Sequence, residues 1–172
     1  LPATSAANAL AAIVAQNYGA GEFKRMNKAL LTAILFALPF SMAFFLWAQI
    51  SPQSMISVFT KDTQIIETGI PFFKTCSFDY IAVLFVFCLN GYLNGRSLTV
   101  FTMISSCFGA LALRIPLLYF LCKNVPHNLG IIGTAAPLVS TIMAVYTLIF
   151  VLYLINKKSL NNKITAENTP LN

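Results

Sequence analysis

Four residues, Thr75, Asp79, Asn90 and Asn94, carry the chemistry of an otherwise apolar stretch. Asp79 lies in TCSFDYIAVLFVF, residues 75–87, inside a run that extends over 72–93. On a helix turning by 100° per residue, the eleven positions from Asp79 to Asn90 leave the two about 20° apart. Thr75 falls one turn before Asp79, and Asn94 one turn after Asn90. These four residues are expected to form one polar stripe, with Val83 and Val86 between them, facing protein or a wet cavity. A charged Asp at the centre of a membrane helix costs about 2.5–3.5 kcal/mol, so it pairs with a cation or lines a polar path. A carboxyl that reaches water can take up and release a proton. As a carboxylate beside Asn oxygens it can instead coordinate sodium.

A second reading needs no ligand. Arg114 lies in the next apolar run, 98–122. At 1.5 Å per residue, Asp79 and Arg114 each lie roughly 10–12 Å below the same side of two antiparallel spans. An Asp79–Arg114 ion pair would account for both charges, and Arg114 could also extend its head outward to the surface. The ion pair and the ion or substrate site both stand, and one does not exclude the other.

Composition fixes the elements that position these residues. Only 9% of the chain is charged and 58% is hydrophobic, with a mean hydropathy of +0.76. A soluble domain carries about 25% charged residues. The chain is therefore expected to be an all-α, polytopic membrane helix bundle in contact with the lipid bilayer. Spans are expected near 3–20, 29–50, 72–93, 98–122 and 131–155, with a polar tail at 157–172 that is expected to be disordered. The runs are continuous, whereas barrel strands would alternate over about 10 residues. SVFTKDTQIIETG, within the 51–71 connection, is expected to form a short surface helix starting near Thr60 or Asp62.

The net charge is +6, but its distribution speaks of topology rather than nucleic acid. Lys24, Arg25, Lys28, Arg96, Lys157, Lys158 and Lys163 fall on one side of a five-helix zigzag, which puts them and the C-terminus in the cytoplasm. Cys76, Cys88, Cys107 and Cys122 form no CxxC pair and read as reduced packing residues. His127 reads as a loop residue. No metal-binding, P-loop or nucleophile-elbow motif appears, which excludes the common soluble enzymes. Pro39, Pro116 and Pro137 lie within spans and can kink them. Ala7, Ala11 and Ala15, and likewise Ser105 and Gly109, recur at the spacing of close helix packing. The chain begins LPATSAANAL, which reads as the middle of a helix and as part of a longer protein.

Four segments carry a resemblance. AQNYGAGEFKRMNKAL at 15–30 contains Gln16, Asn17, Gly19 and Gly21, and it resembles the end of the second helix in each lobe of the multidrug and toxic compound extrusion (MATE) family. GYLNGRSLT at 91–99, ALRIPLLYFL at 112–121 and GIIGTAAPLVS at 130–140 are similar to later segments of the same lobe. Asn94 stands where Arg is common. The resemblance covers about residues 1–155 and implies helices eight to twelve of twelve, with an N-terminal lobe as partner.

The resemblance also implies a secondary active antiporter of the bacterial plasma membrane. It would export organic, often cationic, compounds against protons or sodium by alternating access, with no cofactor and no enzymatic activity. Alone, the chain would not transport. Some bacterial members carry a coupling acid in helix ten, where Asp79 falls. Phe78, Tyr80 and Phe85 could offer aromatic surface to cations, although packing is their first reading. Two alternatives are a lipid-linked precursor flippase of the same superfamily, which needs a strongly cationic cavity, and a non-transporting membrane scaffold.

Overall fold

The computed structural model describes residues 2–125 and 128–167, with side chains to residue 157. The described residues are helical throughout their regular structure, without strands. Helix α1 spans Pro2–Gly19, α2 Phe23–Ile50, α3 Pro52–Ser57, α4 Thr63–Cys76, α5 Asp79–Gly95 and α6 Thr99–Phe108. A π-helical segment, Gly109–Arg114, leads into α7, Ile115–Asn124. Helices α8, Leu129–Gly133, and α9, Ala135–Glu167, follow. Helix α9 thus runs on through most of the stretch expected to be an unstructured tail. His127, expected in a loop, lies outside the described residues.

Among the described residues, three stretches are long and apolar enough to cross a membrane: Phe23–Ile50, Thr99–Asn124 and Leu129–Lys157. A fourth is the pair α4 and α5, which together meet the same test but are bent by 44°. Helix α1 does not join them by composition, because Asn8, Gln16 and Asn17 dilute its alanines. It is nevertheless built into the core. Leu10 and Val14 are fully buried against Leu84, Cys88, Leu89, Tyr92 and Leu93 of α5. Met26 and Ala37 of α2 and Val151 of α9 complete this cluster. Helix α5 is therefore the central post, with α1, α2 and α9 around it.

Glycine sets the α1–α5 spacing. A Cβ on Gly91 would lie 2.5 Å from the Ala7 carbonyl oxygen, and one on Gly95 would lie 2.6 Å from that of Ala11. Backbone contact this close requires residues without side-chain bulk. Ala7 and Ala11 supply the facing surface, as their spacing suggests, whereas Ala15 is exposed.

The prolines act in different ways. Pro39 sits inside an unbroken α2. Pro116 cannot donate to the carbonyl four residues back and crowds it, and the widened π-helical turn lies immediately before it. Pro137 stands four residues after Gly133, where α8 ends, and Thr134 separates α8 from α9. The surface helix expected near Thr60 or Asp62 is present but longer. Asp62 caps it by accepting a 2.9 Å hydrogen bond from the Gln64 amide, and α4 then continues to Cys76.

Candidate functional site

The single helix expected through 72–93 is two helices. It breaks at Ser77 and Phe78, with neither proline nor glycine at the break. The cause is side-chain competition for the backbone. The Ser77 hydroxyl donates to the Lys74 carbonyl at 2.7 Å. Gln49, at the end of α2, donates from Nε2 to the same carbonyl and to Ser77 Oγ, both at 2.8 Å. Ser77 itself is 1% exposed, whereas Phe78 beside it is 53% exposed.

Asp79 is the first residue of α5, directly after the break. The N-terminal end of a helix attracts negative charge. Its Oδ1 is buried and accepts no hydrogen bond. Buried polar atoms are satisfied in the great majority of cases, so an orphaned carboxylate oxygen is unusual. Arg114 does not satisfy it: Arg114 is exposed at the end of the π-helical segment, and no ion pair joins the two.

The expected four-residue stripe is divided by the bend. Thr75 belongs to α4, and its hydroxyl is engaged with the Pro71 carbonyl at 2.9 Å. Asp79 and Asn90 remain on α5 but are separated by about 16 Å of helix at 1.5 Å per residue. Asn90 and Asn94 open instead onto a cleft of about 430 Å³ between α1, α5 and α6, together with Asn8, Thr102 and Ser106. No titratable side chain lines it among the described residues. Within it, the Thr102 hydroxyl donates to Asn94 Oδ1.

A second cleft, about 530 Å³, lies beside the first and is walled by Phe40, Phe44, Tyr80, Val83 and Phe87. Phe87 borders both clefts. The α5 face thus presents Asp79 at its start, an aromatic cleft next and an uncharged polar cleft beyond. Of the aromatics considered earlier, Tyr80 lines the aromatic cleft. Phe78 packs edge-on against Phe45 with ring centroids 5.1 Å apart.

At the far end of α5, two of the sequence segments meet. Gln16, Asn17, Gly19 and Gly21 build the α1–α2 turn. The Glu22 amide donates to the Asn17 carbonyl at 2.8 Å, and Gly21 adopts φ +75°, which other residues rarely accept. Gln16 and Gly19 are exposed, and the Asn17 side chain donates to the Ile13 carbonyl at 2.7 Å. Arg96, just after α5, places its guanidinium 5.7 Å from the ring centres of both Tyr18 and Tyr92. Tyr92 in turn donates its hydroxyl to Asn27 Oδ1 at 2.8 Å.

Asn8, Gln49, Ser77, Thr102, Ser106 and Arg96 were not singled out as site residues by sequence. Thr102 and Ser106 at i, i+4 on one span carried a readable signal. Gln49 carried none, because its partners lie 25 and 28 positions away.

Comparison with curated proteins finds no match. The family model MatE matches residues 1–120, from α1 into α7 and across Asp79 and both clefts. With that match over more than half its length, on an all-helical bundle with membrane-crossing stretches, the chain belongs to the MatE family of membrane transporters.

Proposed function

We propose that the protein is a secondary active antiporter that exports organic, often cationic, compounds in exchange for protons or sodium by alternating access. The observation that carries this reading is the buried, unpartnered Oδ1 of Asp79 at the break of a bent span. An intramembrane carboxyl without a fixed partner is free to bind what moves. Broken membrane helices recur at ion sites in transporters because their ends offer polar backbone and a local dipole. A proton would bind the carboxylate oxygen directly. Sodium would need further oxygen donors at the break.

The substrate path follows the same face. The aromatic cleft suits the flat, apolar part of a cation, through ring faces that attract positive charge. The asparagine cleft suits its hydrogen-bonding groups, so Asn90 and Asn94 are assigned to substrate and Asp79 to the coupling ion. Thr75 is engaged within its own helix and serves the bend. Arg114 is assigned a structural or surface role. The reading further places the protein in a bacterial plasma membrane with its C-terminus in the cytoplasm, working with an N-terminal lobe. The absence of charge from the walls of both clefts among the described residues argues against a flippase for anionic lipid-linked precursors.

The test is accumulation of ethidium in everted membrane vesicles, where an exporter pumps inward, with the chain present together with its N-terminal lobe. Accumulation should require an imposed proton or sodium gradient and collapse when that gradient is dissipated. Gradient-independent movement, or none with either ion, would contradict the proposal.

A further inference from the structure

At the end of the bundle where α5 finishes, Lys24, Arg25, Lys28 and Arg96 stand against a single acid, Glu22, in the segments 15–30 and 91–99. Side-chain contacts join the two segments. Arg96 lies 5.7 Å from the Tyr18 and Tyr92 ring centres, and Tyr92 donates to Asn27, beside Lys28. Tyr18 also meets Phe23, beside Lys24, edge-on with ring centroids 6.1 Å apart. Lys24 and Lys28 are one helical turn apart, so they share a face of α2. Both are exposed, as is Arg25.

The α5–α6 turn fixes Arg96. The Leu98 amide donates to the Leu93 carbonyl at 3.1 Å, and the Ser97 amide to that of Asn94 at 3.0 Å. This closure uses a left-handed residue, here Ser97 at φ +62°, where glycine is usual. The partners of the Arg96 guanidinium are aromatic faces rather than a carboxylate. Its Nε is buried, but the residue as a whole is only partly so, which leaves the terminal nitrogens to meet an outside anion. The uncharged run 29–50 is about 33 Å long at 1.5 Å per residue, close to a hydrocarbon core of about 30 Å. Lys28 therefore stands at the edge of the core, where lipid headgroups begin.

We infer that this end of the bundle binds the phosphate of an anionic phospholipid, received by Arg96 with Lys24 and Lys28 beside it. A guanidinium forks onto phosphate oxygens, and the two tyrosine faces hold it in place without neutralising it. A zwitterionic lipid offers the same phosphate but adds an ammonium that the surrounding cations repel. Each basic residue near an anionic leaflet contributes about fivefold in affinity, the equivalent of about 1 kcal/mol. The acyl chains of the bound lipid extend along the uncharged run that begins at Ala29.

The test titrates phosphatidylglycerol or phosphatidylcholine of equal chain length into the chain with its N-terminal lobe, solubilised in a neutral detergent, and reads Tm. Phosphatidylglycerol should raise Tm saturably, and phosphatidylcholine should not. Arg96→Gln should weaken the apparent affinity for phosphatidylglycerol about fivefold. The exposed pair Lys24→Gln and Lys28→Gln, made together, should weaken it at least as much, and so tests the site even if Arg96→Gln does not fold. Lys123→Gln, at the opposite end of the bundle, should bind like the native protein. Inorganic phosphate at the same concentrations should leave Tm unchanged. The inference is overturned if phosphatidylcholine matches phosphatidylglycerol or if neither raises Tm saturably. It is also overturned if inorganic phosphate reproduces the shift, if the Arg96 or the paired lysine variant keeps native affinity, or if Lys123→Gln loses as much as they do.

Discussion

Gln49 and Ser77, 28 positions apart, are joined by a 2.8 Å hydrogen bond that fixes the bend between α4 and α5. The same Nε2 reaches the Lys74 carbonyl, so one side chain from α2 satisfies the polar groups that the break exposes. Gln49→Leu leaves the carbonyl and hydroxyl with only each other. The expected loss is about 1–3 kcal/mol, read as a lowered Tm of the detergent-solubilised protein. An unchanged Tm would show that the bend holds without Gln49.

The α1–α5 contact predicts a sharp contrast among glycines. Gly91→Ala places a methyl 2.5 Å from the Ala7 carbonyl oxygen, and backbone on both sides must move. Overpacking of this kind costs about 1–3 kcal/mol. Gly19→Ala meets nothing within 4 Å and should be neutral or slightly stabilising. Equal thermal stability of the two variants would contradict the close crossing.

The polar cleft predicts a division of labour on α5. Asn90→Leu should weaken substrate handling about threefold to tenfold, the equivalent of a lost hydrogen bond. Thr75→Val, whose hydroxyl is engaged with Pro71, should alter ethidium efflux far less. Efflux assays on both variants at matched membrane abundance separate the two. A larger effect from Thr75→Val would restore Thr75 to the site.

The Arg96 contact predicts that the α1–α2 turn and the end of α5 are coupled. Arg96→Gln removes the cation from two tyrosine faces. Each such contact contributes about 0.5–1 kcal/mol at exposed sites. Tm should fall, and limited proteolysis should cut sooner within 17–25. Arg96→Lys should retain part of the stabilisation. Indistinguishable proteolysis of native and Arg96→Gln protein would separate the two segments.

Much of the architecture was legible because lipid leaves little choice. Runs near 20 apolar residues, scarce charge and helix-packing alanines specify a helical bundle. Asp79 was legible for the same reason, being a charge where charge is costly. Periodicity gives no sign of a break within 72–93, so it puts Thr75 and Asp79 on one continuous helix, whereas they lie on α4 and α5. The break between them involves Ser77 and Gln49 on another helix, a long-range pairing without local signature. The π-helical turn at Gly109–Arg114 was foreshadowed only by Pro116, as a kink of unstated form. Arg114 was read from depth alone, which gives no azimuth, and it is exposed and unpaired with Asp79.

The coupling ion is proposed to bind the Asp79 carboxyl, whose Oδ1 is buried and unpartnered. Ethidium-driven proton and sodium flux in proteoliposomes holding the chain with its N-terminal lobe, native against Asp79→Asn, reads this out. Asp79→Asn should remain folded and bind ethidium but lose the ion flux that accompanies transport. Full, gradient-coupled flux in Asp79→Asn would remove Asp79 from the mechanism.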